Sequence, residues 1–288
     1  MTRAEQPTAH QPAPDDALVA DSRERAVRAL LRQPQLKRLW SAQFVGSVGD
    51  TLALLALVLL ALQAAIAEGS FGGGYRGVAF AVATVFAVRV LATLLFGAVL
   101  LGPLTSLTSH EGPLDRRWTM VGADGLRALV LIVAPLWIDW TPDNALAVLL
   151  VTAFVTGVAE RFWTVCRESA APALLPTPPL EGATVRPLPD HMDALRRLSL
   201  RTTFVAIPAA AVVLVVAGLL NNLLGTGIDW FAQHQAALAS YVAAGLFAAS
   251  LSVVTFLELP DARTPRARSP LEGLRRPKTG AGVDKGRT

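Results

Sequence analysis

Six long apolar blocks, parted by charged segments, constrain this chain more than any other feature. They run over about 41–64, 78–101, 119–138, 145–163, 202–224 and 236–258. A bilayer core about 30 Å thick is crossed by roughly 20 residues of helix, and each block is close to that length. None shows the strict alternation of a barrel strand. In hydrocarbon every backbone N–H and C=O must bond within its own segment, so the blocks are expected to be helices. The predicted class is all-α: a polytopic membrane protein of six transmembrane helices in contact with the lipid bilayer. Composition agrees, with 52% apolar residues against 17% charged, a low charge content for a water-soluble domain.

The cations set an orientation. With the N-terminus in the cytoplasm, the inner segments are 1–40, 102–118, roughly 161–201 and 259–288, and they hold 23 of the 26 Lys and Arg residues. The outer loops hold Arg76, and the spans hold Arg89 and Arg127. This asymmetry predicts a protein of the cell membrane with both termini cytoplasmic. The six tryptophans (Trp40, Trp118, Trp137, Trp140, Trp163 and Trp230) fall at or near predicted helix ends, as interfacial belts require. The net charge of +4 is spread over separated loops, so no nucleic-acid partner is expected. A single cysteine, Cys166, leaves no internal disulfide. The polar first 35 or so residues lack a short apolar core with a cleavage site, so no cleaved signal peptide is expected.

Three regions follow. Residues 1–38 form a lead, with 1–22 disordered and 23–33 a short basic helix stopped by Pro34; 39–259 form the membrane domain; 260–288 form a basic, flexible tail. Thr141-Pro142 reads as the cap and first residue of the fourth helix. The Pro-rich stretch 172–190 reads as an irregular inner loop. Within 191–201, Met192, Leu195 and Leu198 alternate with Arg196, Arg197 and Arg201, which predicts an amphipathic segment lying on the inner membrane face.

Polar residues inside the spans carry the functional candidates, because a charge in hydrocarbon costs at least about 2.5–3.5 kcal/mol and requires a partner. Gln43, Ser47, Asp50 and Thr51 share one face of the first helix, and Arg89, Thr93 and Gly97 share one face of the second. Asp50 and Arg89 both stand roughly 17–18 Å from the inner surface by helical rise. They are expected to form a buried ion pair near the midplane, either a binding point for a proton or a polar substrate group, or a static pair. Asp124 and Arg127 on the third helix, with Asp115, Arg116 and Arg117 before it, are read either as an inner gate or as local support and a positive-inside anchor. Thr152, Thr156 and Glu160 form a stripe on the fourth helix ending in Arg161 at the inner interface, a helix contact first and a pathway second. Pro208 is expected to kink the fifth helix.

Other patterns carry no chemistry. Gly72, Gly74 and Gly77 fit a dinucleotide fingerprint but follow no strand, and no P-loop occurs. His10, His110, His191 and His234 lie far apart in loops, so no metal and no cofactor is expected. Cys166 has no histidine nearby in sequence and reads as a small residue at the inner interface.

The run Leu31-Arg32-Gln33-Pro34 through Leu39-Trp40-Ser41-Ala42-Gln43-Phe44-Val45, then Gly49-Asp50, resembles the opening of major facilitator superfamily exporters of the macrolide and drug efflux type. Asp115-Arg116-Arg117, Ala123-Asp124 and Arg127-Ala128 resemble that family's loop between helices two and three and the start of helix three. The resemblance covers about residues 30–260. It implies the N-terminal six-helix half of a twelve-helix transporter, with the tail as the central inner loop. The family's earlier Asp-Arg pair is missing between Pro103 and Pro113, and its Gly-Pro motif is reduced to Ile207-Pro208-Ala209. The alanine-rich chain also resembles the membrane region of actinobacterial proteins in which a transporter-like part precedes a thymidylate kinase domain.

Two functions are therefore expected to compete. One is half of a facilitator-type secondary transporter, exporting small lipophilic molecules by alternating access with a second six-helix half, supplied by a homodimer or by further C-terminal sequence. The other is a non-transporting membrane anchor for a nucleotide kinase. No catalytic motif lies in these residues. The chain closes in a basic linker at Arg287-Thr288, which leads us to expect that it continues.

Overall fold

The computed structural model describes residues 27–28, 31–67, 74–108, 114–141, 144–175, 189–223 and 235–259, and these contain helices and no strand. The helices are α1 Pro34–Ala67, α2 Gly74–Leu94, α3 Leu101–Leu107, α4 Arg116–Trp140, α5 Ala145–Ala173, α6 Pro189–Leu223 and α7 Gln235–Thr255. A π-helical turn, Leu95–Val99, prolongs α2, with the Leu100 N–H reaching the Leu95 carbonyl at 2.8 Å. All but the short α3 are long and apolar enough to cross a membrane. The chain is a multi-pass membrane protein. The readings placed on residues 1–26, Gly72, His10, His110, His234, Trp230, most of the 172–190 loop and the 260–288 tail lie outside the described residues.

Helix ends follow local chemistry. Asp115 caps α4: its Oδ1 accepts from the Arg117 N–H at 2.8 Å and the Trp118 N–H at 3.3 Å. Gly74 opens α2 at φ +61°, a conformation that disfavours any side chain. Pro34 starts α1, where its missing N–H costs no helical bond. Thr141 does not start the fourth span as expected. It ends α4, its hydroxyl donating to the Trp137 carbonyl at 2.8 Å, and α5 begins after Asn144.

Several helices overrun their apolar blocks. At about 1.5 Å per residue α1, with 34 residues, and α6, with 35, are far longer than a bilayer core. Two expectations change as a result. Residues 191–201 do not form a separate helix on the membrane face; they are the first turns of α6, with Ala194 and Leu195 buried against α1 and α5. Burial on protein takes up Ala194 and Leu195, while Met192 and Leu200 stay exposed on the other side of the helix. Trp40 and Trp163 are also not interfacial: both are 7% exposed inside a cluster with Leu36, Leu39 and Cys166. The overrunning helices pack on one another at that level and enclose the indoles. Trp118, Trp137 and Trp140 do stand exposed near the ends of α4.

The bundle packs in a recurring pattern. α1 packs most extensively on α7, and α5 packs likewise on α4; α1 also packs on α6, and α5 on α2; α4 packs on α7. Exchanging the first three spans with the last three therefore maps these contacts onto one another. The α1–α2 contact breaks the pattern, having no counterpart of similar extent between α5 and α6 among the described residues. Small residues permit the close approaches, as expected where packing rather than hydrophobic exclusion joins helices. A side chain at Gly49 would meet the Phe247 ring at 3.2 Å, and one at Gly157 would meet Ala92 Cβ at 3.0 Å.

Prolines interrupt two spans. Pro135 inside α4 cannot donate to the Leu131 carbonyl one turn back. The Ser240 hydroxyl of α7 donates to that carbonyl instead, at 2.6 Å. Pro208 lies inside α6 on its exposed face, so it removes a bond on the outward side of the helix rather than beside an interior cavity.

Candidate functional site

Asp50, Arg127 and Glu160 lie near the middle of α1, α4 and α5, and Arg89 lies in the second half of α2. The packing of those helices brings them together into one network. The Arg127 guanidinium is its buried anchor, with its side chain 2% exposed. One nitrogen, Nη1, meets Asp50 Oδ1 at 2.8 Å, and the other, Nη2, meets Asp124 Oδ1 at 2.6 Å. The ring of Phe247 on α7 covers the same guanidinium, 4.5 Å from centroid to carbon. Gly49 gives that ring room.

Asp124 is wholly buried. Its second oxygen accepts from the Ser250 hydroxyl of α7 at 2.8 Å, and Trp163 flanks it. The Ser250 hydroxyl also lies 3.2 Å from the Ala42 carbonyl on α1. Three helices thus hold one carboxylate.

On the other side of Asp50 stands Arg89. Its Nη2 donates to Glu160 Oε2 at 2.8 Å and stands 3.9 Å from Asp50 Oδ1. The close approach at Gly157, where Arg89 Cγ lies 3.7 Å from the position of an added Cβ, brings α2 near enough for that bond. Arg161 adds the last cation, 3.9 Å from Glu160 and 3.4 Å from the Thr93 hydroxyl. The series Asp124, Arg127, Asp50, Arg89, Glu160, Arg161 holds three acids and three bases. Its first members are sealed and its last are partly open, Asp50 at 23%, Glu160 at 26% and Arg161 at 30% side-chain exposure.

The expected Asp50–Arg89 pair is therefore one of the two long links of the series, and each residue has a nearer partner on another helix. Register put both at one depth, but it carried no information on α4 and α5. The expected five-residue gate also divides. Asp124 and Arg127 pair with each other, whereas Asp115 caps a helix and the Arg117 guanidinium stacks on Trp118 at 5.3 Å. Arg116 donates to the carbonyls of Thr108 and Ser169, tying the end of α3 and the far part of α5 to α4. The threonine stripe turns back on its own helix: Thr152 donates to Val148 and Thr156 to Thr152. Arg161 belongs to the network rather than to the interface, because α5 continues beyond it to Ala173. Gln43 lies nearer the helix start, donating to the Ser199 hydroxyl at 3.4 Å, and Arg167 donates to the same hydroxyl at 3.2 Å.

Sequence reasoning missed Ser250, Ser240 and Phe247. The signal available was weak: small polar residues at Ser240 and Ser250 in an alanine-rich block, with the rings of Tyr241 and Phe247 between them. Among the described residues no cluster of three or more metal-ligating side chains forms, since the acids alternate with arginines. The chain matches no protein-family model, and neither a curated protein nor a solved structure is significantly similar to it.

Proposed function

We propose that this chain is one six-helix half of a facilitator-type secondary transporter in the cell membrane, with both termini cytoplasmic, working by alternating access. The observation that carries the reading is the partly open end of the charge network. Asp50, Glu160 and Arg161 expose about a quarter of their side chains at mid-helix, on helices α1 and α5. Hydrocarbon is a costly neighbour for such groups, so water, substrate or a second protein half is their proper environment. The exchange of the first three spans with the last three supports the same reading, because internal three-helix repeats are the building unit of such transporters. A second half, from another copy or from further sequence, would cover this face. Small lipophilic molecules suit the apolar walls around it. The anchor reading offers no reason for ionised groups in mid-bundle that are neither buried nor lipid-compatible.

Alternating access is testable without a known substrate. Cys166 is the single cysteine and is buried, which gives a clean background for thiol labelling. Ser47→Cys in a Cys166→Ala chain places a thiol one turn from Asp50. A membrane-impermeant maleimide is expected to reach it in both right-side-out and everted vesicles. Reaction from one side only would refute the rocking mechanism.

A further inference from the structure

A second polar recess lies at the end of the bundle that carries Pro34 and Thr255. It is a cleft of about 630 Å³ between α1, the start of α4 and the end of α7. Arg38 and Arg117 line it from two helices, with Ser41, Phe256 and Glu258. Nothing in the charge network or the transport reading uses these groups.

Each wall has a definite chemistry. Arg38 is exposed and donates through Nη1 to the Phe256 carbonyl at 3.0 Å, which fixes the guanidinium at the rim. Arg117 is held over Trp118 by its ring contact. The Ser41 hydroxyl donates to the Arg38 carbonyl at 2.8 Å, leaving its oxygen free to accept. Glu258 is steadied by Gln35: the amide nitrogen donates to Glu258 Oε2 at 3.3 Å, and the amide oxygen accepts the Glu258 N–H at 3.2 Å. Phe256, in the lining, is 71% exposed, and Trp118, under the Arg117 guanidinium, is 56% exposed. Cations and aromatic rings at a helix-end level are the surroundings of a lipid headgroup.

We propose that this cleft binds the headgroup of an anionic phospholipid bearing free hydroxyls, of the phosphatidylglycerol class. The phosphodiester sits between the Arg38 and Arg117 guanidiniums, which bind phosphate oxygens through paired donors. The headgroup hydroxyls donate to Glu258 and Ser41. The glycerol backbone and upper acyl chains lie along Phe256 and Trp118, and this apolar rim is why the occupant is a lipid and not a soluble phosphate. With two guanidiniums and one carboxylate, the cleft carries a net positive charge that a lipid with one negative charge neutralises.

The full chain, purified in a mild non-ionic detergent, is titrated with phosphatidylglycerol, phosphatidylcholine and phosphatidylethanolamine of identical acyl chains, and retained lipid is counted by native mass spectrometry. Phosphatidylglycerol is expected to bind about ten-fold more tightly than the other two. Each cation near an anionic lipid contributes about five-fold, so Arg117→Gln is expected to weaken binding about five-fold and the double variant with Arg38→Gln about thirty-fold. Arg117→Lys keeps the charge but not the paired donors and is expected to bind between the unsubstituted chain and Arg117→Gln. The single Arg117 variants keep the test open should the double variant not fold, since Arg38 also holds the Phe256 carbonyl. Equal binding of the three lipids, preference for phosphatidylethanolamine, or an unchanged affinity in Arg117→Gln overturns the proposal. So does competition by the deacylated headgroup, glycerophosphoglycerol, which would assign the cleft to a soluble phosphate.

Discussion

Arg127 has two carboxylates and an aromatic ring around one guanidinium, all inside the bundle, and it is the residue least able to lose a partner. Removing one member of a buried pair leaves an uncompensated charge, which costs about 3–5 kcal/mol. Asp124→Ala is therefore expected to destabilise the protein by that order, read as a large fall in the midpoint of thermal unfolding in detergent. Asp50→Asn is expected to be milder, because Arg127 keeps Asp124, Arg89 keeps Glu160, and Asp50 is partly exposed. A ranking with Asp50→Asn the more damaging would show that the sealed end is not the structural anchor. Ser250→Ala removes a hydroxyl donor to a buried carboxylate and is expected to cost about 1.5–3 kcal/mol in the same measurement. Most members of the network were legible from sequence, since charges inside apolar blocks declare themselves. Their pairing was not. Helical register fixes depth and face along one helix, while partner choice depends on which helices touch, and the alanine-rich surfaces of all six blocks look alike.

At the scale of elements, glycine decides how near two helices come. Gly157 lets α2 approach α5, and an added Cβ would stand 3.0 Å from Ala92 Cβ. Gly157→Ala is expected to push the helices apart by a few tenths of an ångström, cost about 1–3 kcal/mol, and loosen the Arg89–Glu160 bond one turn away. Gly122→Ala, which meets nothing within 4 Å, is the matched control and is expected to raise the unfolding midpoint slightly, since alanine favours the helix over glycine by up to about 1 kcal/mol. Equal effects of the two would remove the steric account. The six spans themselves were readable from block length, and the class followed from the bilayer's demand for internal backbone bonding. Their ends were less readable. Apolarity marks where lipid stops, and α5 runs on beyond that point because protein meets its next turns, with Val165, Cys166, Ala170 and Ala171 buried. The Thr141-Pro142 pair shows the same limit: a hydroxyl beside a proline suits either end of a helix, and the carbonyl of Trp137 decided which.

For the whole molecule, orientation is open to direct measurement. With Cys166 replaced by Ala, Tyr75→Cys at the start of α2 and Glu258→Cys after α7 place exposed or nearly exposed thiols at opposite ends of the bundle. The impermeant maleimide is expected to label position 75 on intact cells and position 258 only after the cells are opened. The reverse result would invert the positive-inside reading.

The Ser240 and Ser250 hydroxyls come from the last span and serve the third, one filling the acceptor left by Pro135 and the other steadying Asp124. A nascent chain inserted only as far as α6 thus holds a bare carbonyl and a poorly solvated acid in α4, with no later helix to satisfy them. Such an intermediate is incomplete by its own wiring. Until α7 inserts, α4 lacks two of the hydroxyl donors that its free carbonyl and its carboxylate use in the folded bundle.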